Sequence, residues 1–267
     1  MTYRNYYNMK NWLNAFIGSC ILLLVACTPN NVQKDEKLAD LFKAAGVEGS
    51  FCVYDNGTGL FTVHNLSRYK DSAYLPASTA DIIIALIGVE TGKLTNEQMK
   101  MNGDSITANA AFVSSQIPYY QQLARSIGKD TLKRWIDSLH YGNKSQALSV
   151  DSFWLNNTLK ITADEQLGLV KKLYFGQLPF QKRTHDIVKK MMLQEVNANY
   201  KLSYKTGWGF LPNGKSLGWV VGWIEENKHP YFFVLNLEGD KTLDMLTVRK
   251  NLLMNILKEQ GFLLGKR

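Results

Sequence analysis

Ser78 and Asp81 stand three residues apart in the stretch PASTADIIIALIGVETG, residues 76–92. A serine at the start of a helix is a candidate nucleophile, and a carboxylate one turn on shares its helix face. The same spacing is also close to a capping box, where an acid in the first turn suits the positive end of the helix dipole. Taken alone, Ser115, in Ser115-Gln116-Ile117 ahead of Pro118, caps a helix. Lys205-Thr206-Gly207, taken alone, is an exposed turn or strand start. Arg249, near the start of the last helical stretch, is by itself a solvated surface charge. The histidines, His64, His140, His185 and His229, have no ligand spacing such as HExxH, and there is no CxxC. A metal site and a Ser-His-Asp triad therefore lack support, and no glycine pattern marks a nucleotide site. Serine chemistry run by groups other than histidine is what remains.

The elements that must position these residues are legible in outline. KLADLFKAAG has helical spacing and stops at Gly46. SFCVYDNGTGLFTVHN reads as an antiparallel hairpin with a type I′ turn at Asn56-Gly57. A buried helix is predicted over 78–91, closing on Gly92. Between about 93 and 200, the runs YYQQLARSIG, DTLKRWIDSLH, ADEQLGLVKKLYFG and THDIVKKMMLQEV read as helices, with almost no strand signal. YKLSYKTGWGF, LGWVVGWIEEN and YFFVLNLEG are β-rich at hairpin spacing, and a helix over about 246–260 closes the chain. Strands clustered at both ends predict an α+β (α/β) fold. One antiparallel sheet is built from both termini and flanked by helices, with an all-helical subdomain inserted between them.

Taken in order, LPAST, ALIGVETG, YYQQLAR, YGN, FWL, KTGWG and VGW resemble the class D (oxacillinase-type) serine β-lactamases of the penicillin-recognising superfamily. The likeness covers about residues 48–262. It implies a β-lactamase/transpeptidase-like fold and penicillin binding, with acylation at Ser78 and hydrolysis of the β-lactam amide. It also implies an oxyanion hole from the backbone N–H groups of Ser78 and Trp208, and a Ser115–Lys205 relay that carries a proton to the lactam nitrogen. Lys205, Thr206 and Arg249 would hold the substrate carboxylate, with Gly207 and Ile117 beside the substrate. Trp154 would donate its N–H to a modified lysine of the first motif, and Tyr141 and Asn143 would shape the site. Taken singly, Trp154 is plain core.

The first motif departs from the family pattern. Ser-x-x-Lys, usually with Phe in third place, is here Ser78-Thr79-Ala80-Asp81. In the family that lysine takes up carbon dioxide, and its carbamate is the general base for acylation and deacylation. The family uses no other cofactor, and Asp81 cannot be carboxylated. A free aspartic acid, with a pKa of roughly 3.9, is too weak a base at neutral pH unless burial raises it. Loss of a positioned base costs on the order of 10²–10⁴ in rate. The expectation is a β-lactamase that acylates at Ser78 and turns over poorly. The alternative is a non-hydrolysing penicillin-binding or sensing protein that keeps a stable acyl adduct.

The ends and the composition set the context. With 267 residues, 45% of them hydrophobic, the chain has enough apolar surface for a real core. Residues 1–26 read as an export signal, with Arg4 and Lys10 ahead of the short apolar run AFIGSCILLLVA. Leu24-Val25-Ala26-Cys27 resembles the bacterial lipobox. It implies lipid on Cys27, a linker over 27–36, the class D-like domain over 37–267, and an outer-membrane, periplasmic site in a Gram-negative bacterium. Removal of Arg4 and Lys10 leaves 29 basic residues against 23 acidic, a balance of +6. No Lys/Arg block is interleaved with aromatics, so nucleic acid is not an expected partner. β-Lactam antibiotics are, with membrane contact only through the lipid and a monomer or homodimer in solution. Cys52 between Phe51 and Val53 reads as an inert buried thiol.

Overall fold

The alternation in SLGWVVGWIEE decides the architecture. Successive side chains of a strand point to opposite faces, and here both faces are apolar. Val220 and Ile224 join one hydrophobic cluster, while Trp219, Val221 and Trp223 join another. The neighbouring strand divides the same way, with Phe233, Leu235 and Leu237 on the first face and Phe232 and Val234 on the second. A strand apolar on both sides belongs at the centre of a sheet covered by helices on both faces.

The computed structural model of the chain describes residues 31–101, 103, 105–143 and 149–267. The expected leader and Cys27 lie outside the described residues. The strands are β1 (Val32–Lys34), β2 (Glu48–Asp55), β3 (Phe61–His64), β4 (Ala73–Tyr74), β5 (Ile161–Thr162), β6 (Leu193–Val196), β7 (Lys201–Phe210), β8 (Ser216–Glu226) and β9 (His229–Gly239). The helices are α1 (Leu38–Ala44), α2 (Leu66–Asp71), α3 (Asp81–Glu90), α4 (Ala108–Ser114), α5 (Ile117–Ile127), α6 (Lys129–Leu139), α7 (Ala163–Tyr174), α8 (Lys182–Met192) and α9 (Met245–Glu259). Seven strands form one sheet in the order β1-β3-β2-β9-β8-β7-β6, and β4 pairs with β5 apart from it. All its pairs are antiparallel except β1 with β3. The first and last helices, α1 and α9, pack on one face through Leu38, Phe42, Leu253 and Ile256. The other face carries the helical region, centred on α3, where every residue from Asp81 to Val89 is buried. A helix apolar all round belongs in the middle of a core. The helix-flanked sheet with a helical region between its strands is the predicted fold; the parallel β1–β3 pair and the short strand β5 depart from the all-antiparallel, all-helical expectation.

Local departures have identifiable causes. Residues 32–34, read as linker, are strand β1, which adds to the edge of β3 through main-chain hydrogen bonds that need no apolar pattern. The β2–β3 loop is not a type I′ turn. The Asp55 carboxylate gathers the N–H groups of Gly57 and Thr58, and the left-handed residue is Gly59 at φ +72°. The helix predicted through LQEV ends at Met192, because Leu193–Val196 pairs with β7. Cys52 is fully buried and desolvation pushes its thiol far up, as an inert core residue requires.

Candidate active site

Ser78 sits in a short 3₁₀ turn, Ala77–Ala80, that leads directly into α3. Ala77 holds φ +48°, a left-handed conformation that costs a non-glycine residue on the order of 1 kcal/mol. No side-chain cap is made here, so the capping-box reading of Ser78 and Asp81 does not hold. The turn is tied down from other elements. Thr79 Oγ1 donates to Pro76 O at 2.7 Å and accepts from Gln166 Nε2 of α7 at 2.6 Å. Trp219 Nε1 donates to Leu75 O at 3.0 Å. Strand β7 runs close past the turn, and this explains the glycine of Lys-Thr-Gly. A Cβ on Gly207 would stand 3.0 Å from Pro76 O and 3.2 Å from Thr79 N.

Asp81 and Lys205 meet beneath this turn. Lys205 Nζ is 3.1 Å from Asp81 Oδ2, with the side chains 1% and 2% exposed. The contact is ionic rather than an aligned hydrogen bond, since Oδ2 has no partner in hydrogen-bond geometry. Burial raises the Asp81 carboxyl to about 6 from an ordinary 3.8, and Lys205 holds it from going further. Burial also lowers the Lys205 ammonium, opposed by Asp81 and aided by the charges of Arg249 and Lys250. Each shift works against the charge that the contact brings together. Lys205 Nζ also donates to Ser115 Oγ at 2.5 Å and to Thr206 O at 3.1 Å, and lies 5.2 Å from the centre of the Phe112 ring. Ser115 ends α4 at φ +56°, so it neither caps α5 nor continues α4. The turn aims its hydroxyl at β7.

Above this buried pair lies a cleft of about 360 Å³. Ser78, Ser115, Ile117, Thr206, Trp208 and Arg249 all line it, as the motif reading requires. Arg249 of α9 is buried and donates through Nη1 to Gly207 O at 2.6 Å, and burial brings its guanidinium down to about 10. Trp208 is half-exposed, its Nε1 donating to Ser216 Oγ at 2.8 Å, and it packs against Phe210. Lys205 lies under the cleft and does not line it.

Trp154 is fully buried against Phe153 and does not reach the cleft; its Nε1–H meets no acceptor. Tyr141 is buried too, its phenol pushed far up by desolvation, whereas Asn143 is exposed. Asn143 closes a loop by accepting from Lys160 N and donating its own N–H to Lys160 O. Sequence reasoning missed Gln166, Phe112, Val113, Leu246 and Lys250. Only Lys250 carried a signal, as a second cation beside Arg249. A larger open groove of about 690 Å³ beside Lys189, Lys190 and Trp223 contains none of the candidate site residues.

The carbamate of the class D resemblance does not fit this site. Asp81 occupies the lysine's position and its carboxylate is already opposite Lys205. The indole N–H that would serve the modified lysine has no acceptor. What the arrangement offers is a serine on a strained turn, an ion pair behind it, a hydroxyl bonded to that pair, and a guanidinium at the cleft wall. Among the described residues no group of His, Cys, Asp and Glu is placed to hold a metal.

Residues 49–258 match the family model of the penicillin binding protein transpeptidase domain. Beta-lactamase OXA-5 of Pseudomonas aeruginosa is 31% identical over 260 residues, covering 92% of this chain and 97% of that protein. The crystal structure of the class D β-lactamase YbXI from Nostoc superposes with a TM-score of 0.78 at 33% identity, over 85% of this chain and 99% of that one. The C-terminal domain of the Bacillus licheniformis BlaR penicillin-receptor gives 0.79 at 25% identity, over 86% and 96%. Coverage of this extent, with the motif residues gathered at one cleft, leaves a single assignment: the chain belongs to the penicillin-binding transpeptidase-domain family and is a relative of the class D β-lactamases.

Proposed function

We propose that the chain is a class D-type serine β-lactamase that binds penicillins, acylates at Ser78 and deacylates slowly. The buried Asp81–Lys205 pair, 3.1 Å apart, carries this reading. In acylation the Ser78 hydroxyl attacks the lactam carbonyl, and the ring C–N bond breaks. Ser115 gives its hydroxyl proton to the lactam nitrogen and is reprotonated by Lys205 Nζ, and the proton leaving Ser78 restores Lys205. Backbone N–H groups of Ser78 and Trp208 stabilise the developing oxyanion. Thr206 and Arg249 take the substrate carboxylate. Ring strain in the lactam supplies part of the drive for this first step.

Deacylation has no such drive and needs an activated water. Burial raises Asp81 to about 6, but its side chain is short and its carboxylate is held by Lys205, which leaves it poorly placed to take a proton from water. We place the cost at about 10²–10⁴ in turnover. The reading also includes a lipid anchor on Cys27 and a periplasmic location. A stable acyl adduct used for sensing is the second reading. The likeness to the BlaR penicillin-receptor domain favours it.

Incubation with benzylpenicillin, followed by intact-mass measurement and a chromogenic hydrolysis assay, tests the proposal. A persistent adduct on Ser78, lost in Ser78→Ala, with little hydrolysis is the expected result. Rapid turnover would overturn slow deacylation, and no adduct at all would overturn acylation.

A further inference from the structure

Three features of the cleft are not used by this chemistry: its charge, its rim and Lys250. Two cations, Arg249 and Lys250, line the cleft, and among the described residues no acidic one does. The acids that act on Lys205 and Arg249 are committed elsewhere. Asp81 faces Lys205, and Asp244 accepts from Thr247 N–H at the start of α9, which holds its carboxyl below the ordinary range. Arg249 is buried and bonded to Gly207 O, whereas Lys250 is exposed and pairs with no acid among the described residues. Its charge still reaches inward, since it depresses the ammonium of Lys205. Lys250 lies one turn beyond Leu246 on the same face of α9, and Leu246 is a half-exposed apolar residue of the cleft wall. The lysine stem can lie along that apolar surface with its ammonium at the mouth.

We propose that Lys250 is a specificity-determining residue that selects β-lactams carrying a second anionic group on the carboxylate side of the bicycle. This rests on the reading of the cleft as a β-lactam site. The core carboxylate goes to Thr206 and Arg249. A heteroaryl spacer beside it then meets Leu246, and a sulfonate or carboxylate beyond the spacer meets Lys250. An unpaired cation at the mouth also speeds arrival of a dianion and loses that effect in salt.

Cefonicid and cefamandole make a matched probe, sharing ring and acyl chain and differing in a sulfomethyl against a methyl on the C3 tetrazole. Affinities are measured by calorimetry on Ser78→Ala protein, where binding is read without acylation, at about 50 mM and about 500 mM salt. Cefonicid is expected to bind about two- to fivefold tighter than cefamandole at the lower salt, as an exposed ion pair allows. Lys250→Met in the same background brings the ratio to about one, and Lys250→Glu inverts it. An unchanged ratio in Lys250→Met, a ratio near one in the parent, or no binding of either drug overturns the proposal. Absence of a Ser78 adduct in the unmodified protein is a separate result. It would overturn acylation and leave the binding ratio to decide the role of Lys250.

Discussion

Lys205 Nζ lies 3.1 Å from Asp81 Oδ2 inside the protein, and the same ammonium donates to Ser115 Oγ at 2.5 Å. An ion pair taken out of water pays a desolvation cost that its own attraction offsets only in part. Here the remainder is visible in both partners, with the acid raised and the lysine lowered by burial.

That balance predicts a pH dependence of stability. The folded chain holds the Asp81 proton more tightly than the unfolded chain, about 6 against 3.8. Its contribution is therefore full below about 3.8 and is lost as pH rises through about 6, a span worth about 3 kcal/mol. In Asp81→Asn the titrating acid is gone, and Lys205, without its counter-ion, is lowered further, which penalises the fold at acid pH. Both effects have the same sign. The advantage of the unmodified protein over Asp81→Asn in urea unfolding should be larger at pH 5 than at pH 8, by about 1–3 kcal/mol. An advantage that grows with pH would show that Asp81 is not the buried, raised acid described.

Gly207 offers a test of how the nucleophile is held. Its Cβ position is bounded by the backbone of Pro76 and Thr79, which cannot swing aside as a flexible side chain does. Gly207→Ala should push β7 away from the turn that carries Ser78, at a cost of about 1–3 kcal/mol. The Ser78 acylation rate should fall more than stability does, by about 10²-fold, because displacements of about 1 Å matter at a reacting centre. Denaturation and adduct-formation rates on one preparation separate the two.

Much of this site was legible before any coordinates. Ser78, Ser115, Thr206 and Arg249 have types and order that point to one cleft, and they line it, with Lys205 beneath. The sheet was legible because LGWVVGWIEEN and YFFVLNLEG are β-rich runs at hairpin spacing. What escaped depends on contacts rather than pattern. Strand β1 is made by backbone pairing, and the turn before β3 is set by the Asp55 carboxylate. The helix through LQEV stops where β7 offers a partner. Asp81 is the clearest case: its spacing from Ser78 suits a cap, yet burial opposite Lys205 makes it a raised acid in an ion pair. No local rule reports a partner 124 positions away.

The C-terminus provides a contrast that separates stability from activity. Glu226, at the end of β8, is fully buried and accepts from the backbone N–H groups of Leu263, Lys266 and Arg267, at 2.5, 3.1 and 3.3 Å. Glu226→Gln replaces one acceptor oxygen with a donor facing those N–H groups, and should cost about 1–3 kcal/mol in denaturant unfolding. It touches nothing at the cleft, so the rate of Ser78 acylation should stay within about twofold. A large loss of acylation would mean that the tail supports the site.

Asp81 stands where the class D resemblance expects a lysine. Restoring the first motif with Ala80→Phe and Asp81→Lys places an amine where the carboxylate now faces Lys205. Two ammonium groups at that distance cannot both stay charged in a buried site, so one must lose its proton. A neutral amine is the form that takes up carbon dioxide, and the carbamate returns the negative charge that Lys205 requires. By the class D resemblance, the Trp154 Nε1–H, now without an acceptor, would donate to that carbamate. The double variant should therefore hydrolyse penicillin about 10²-fold faster or more than the parent. The gain should increase with added bicarbonate, while the parent shows no bicarbonate response. Steady-state hydrolysis with and without bicarbonate reads both effects. A variant that acylates at the parent's rate and deacylates no faster, with or without bicarbonate, would overturn the reading that position 81 limits turnover.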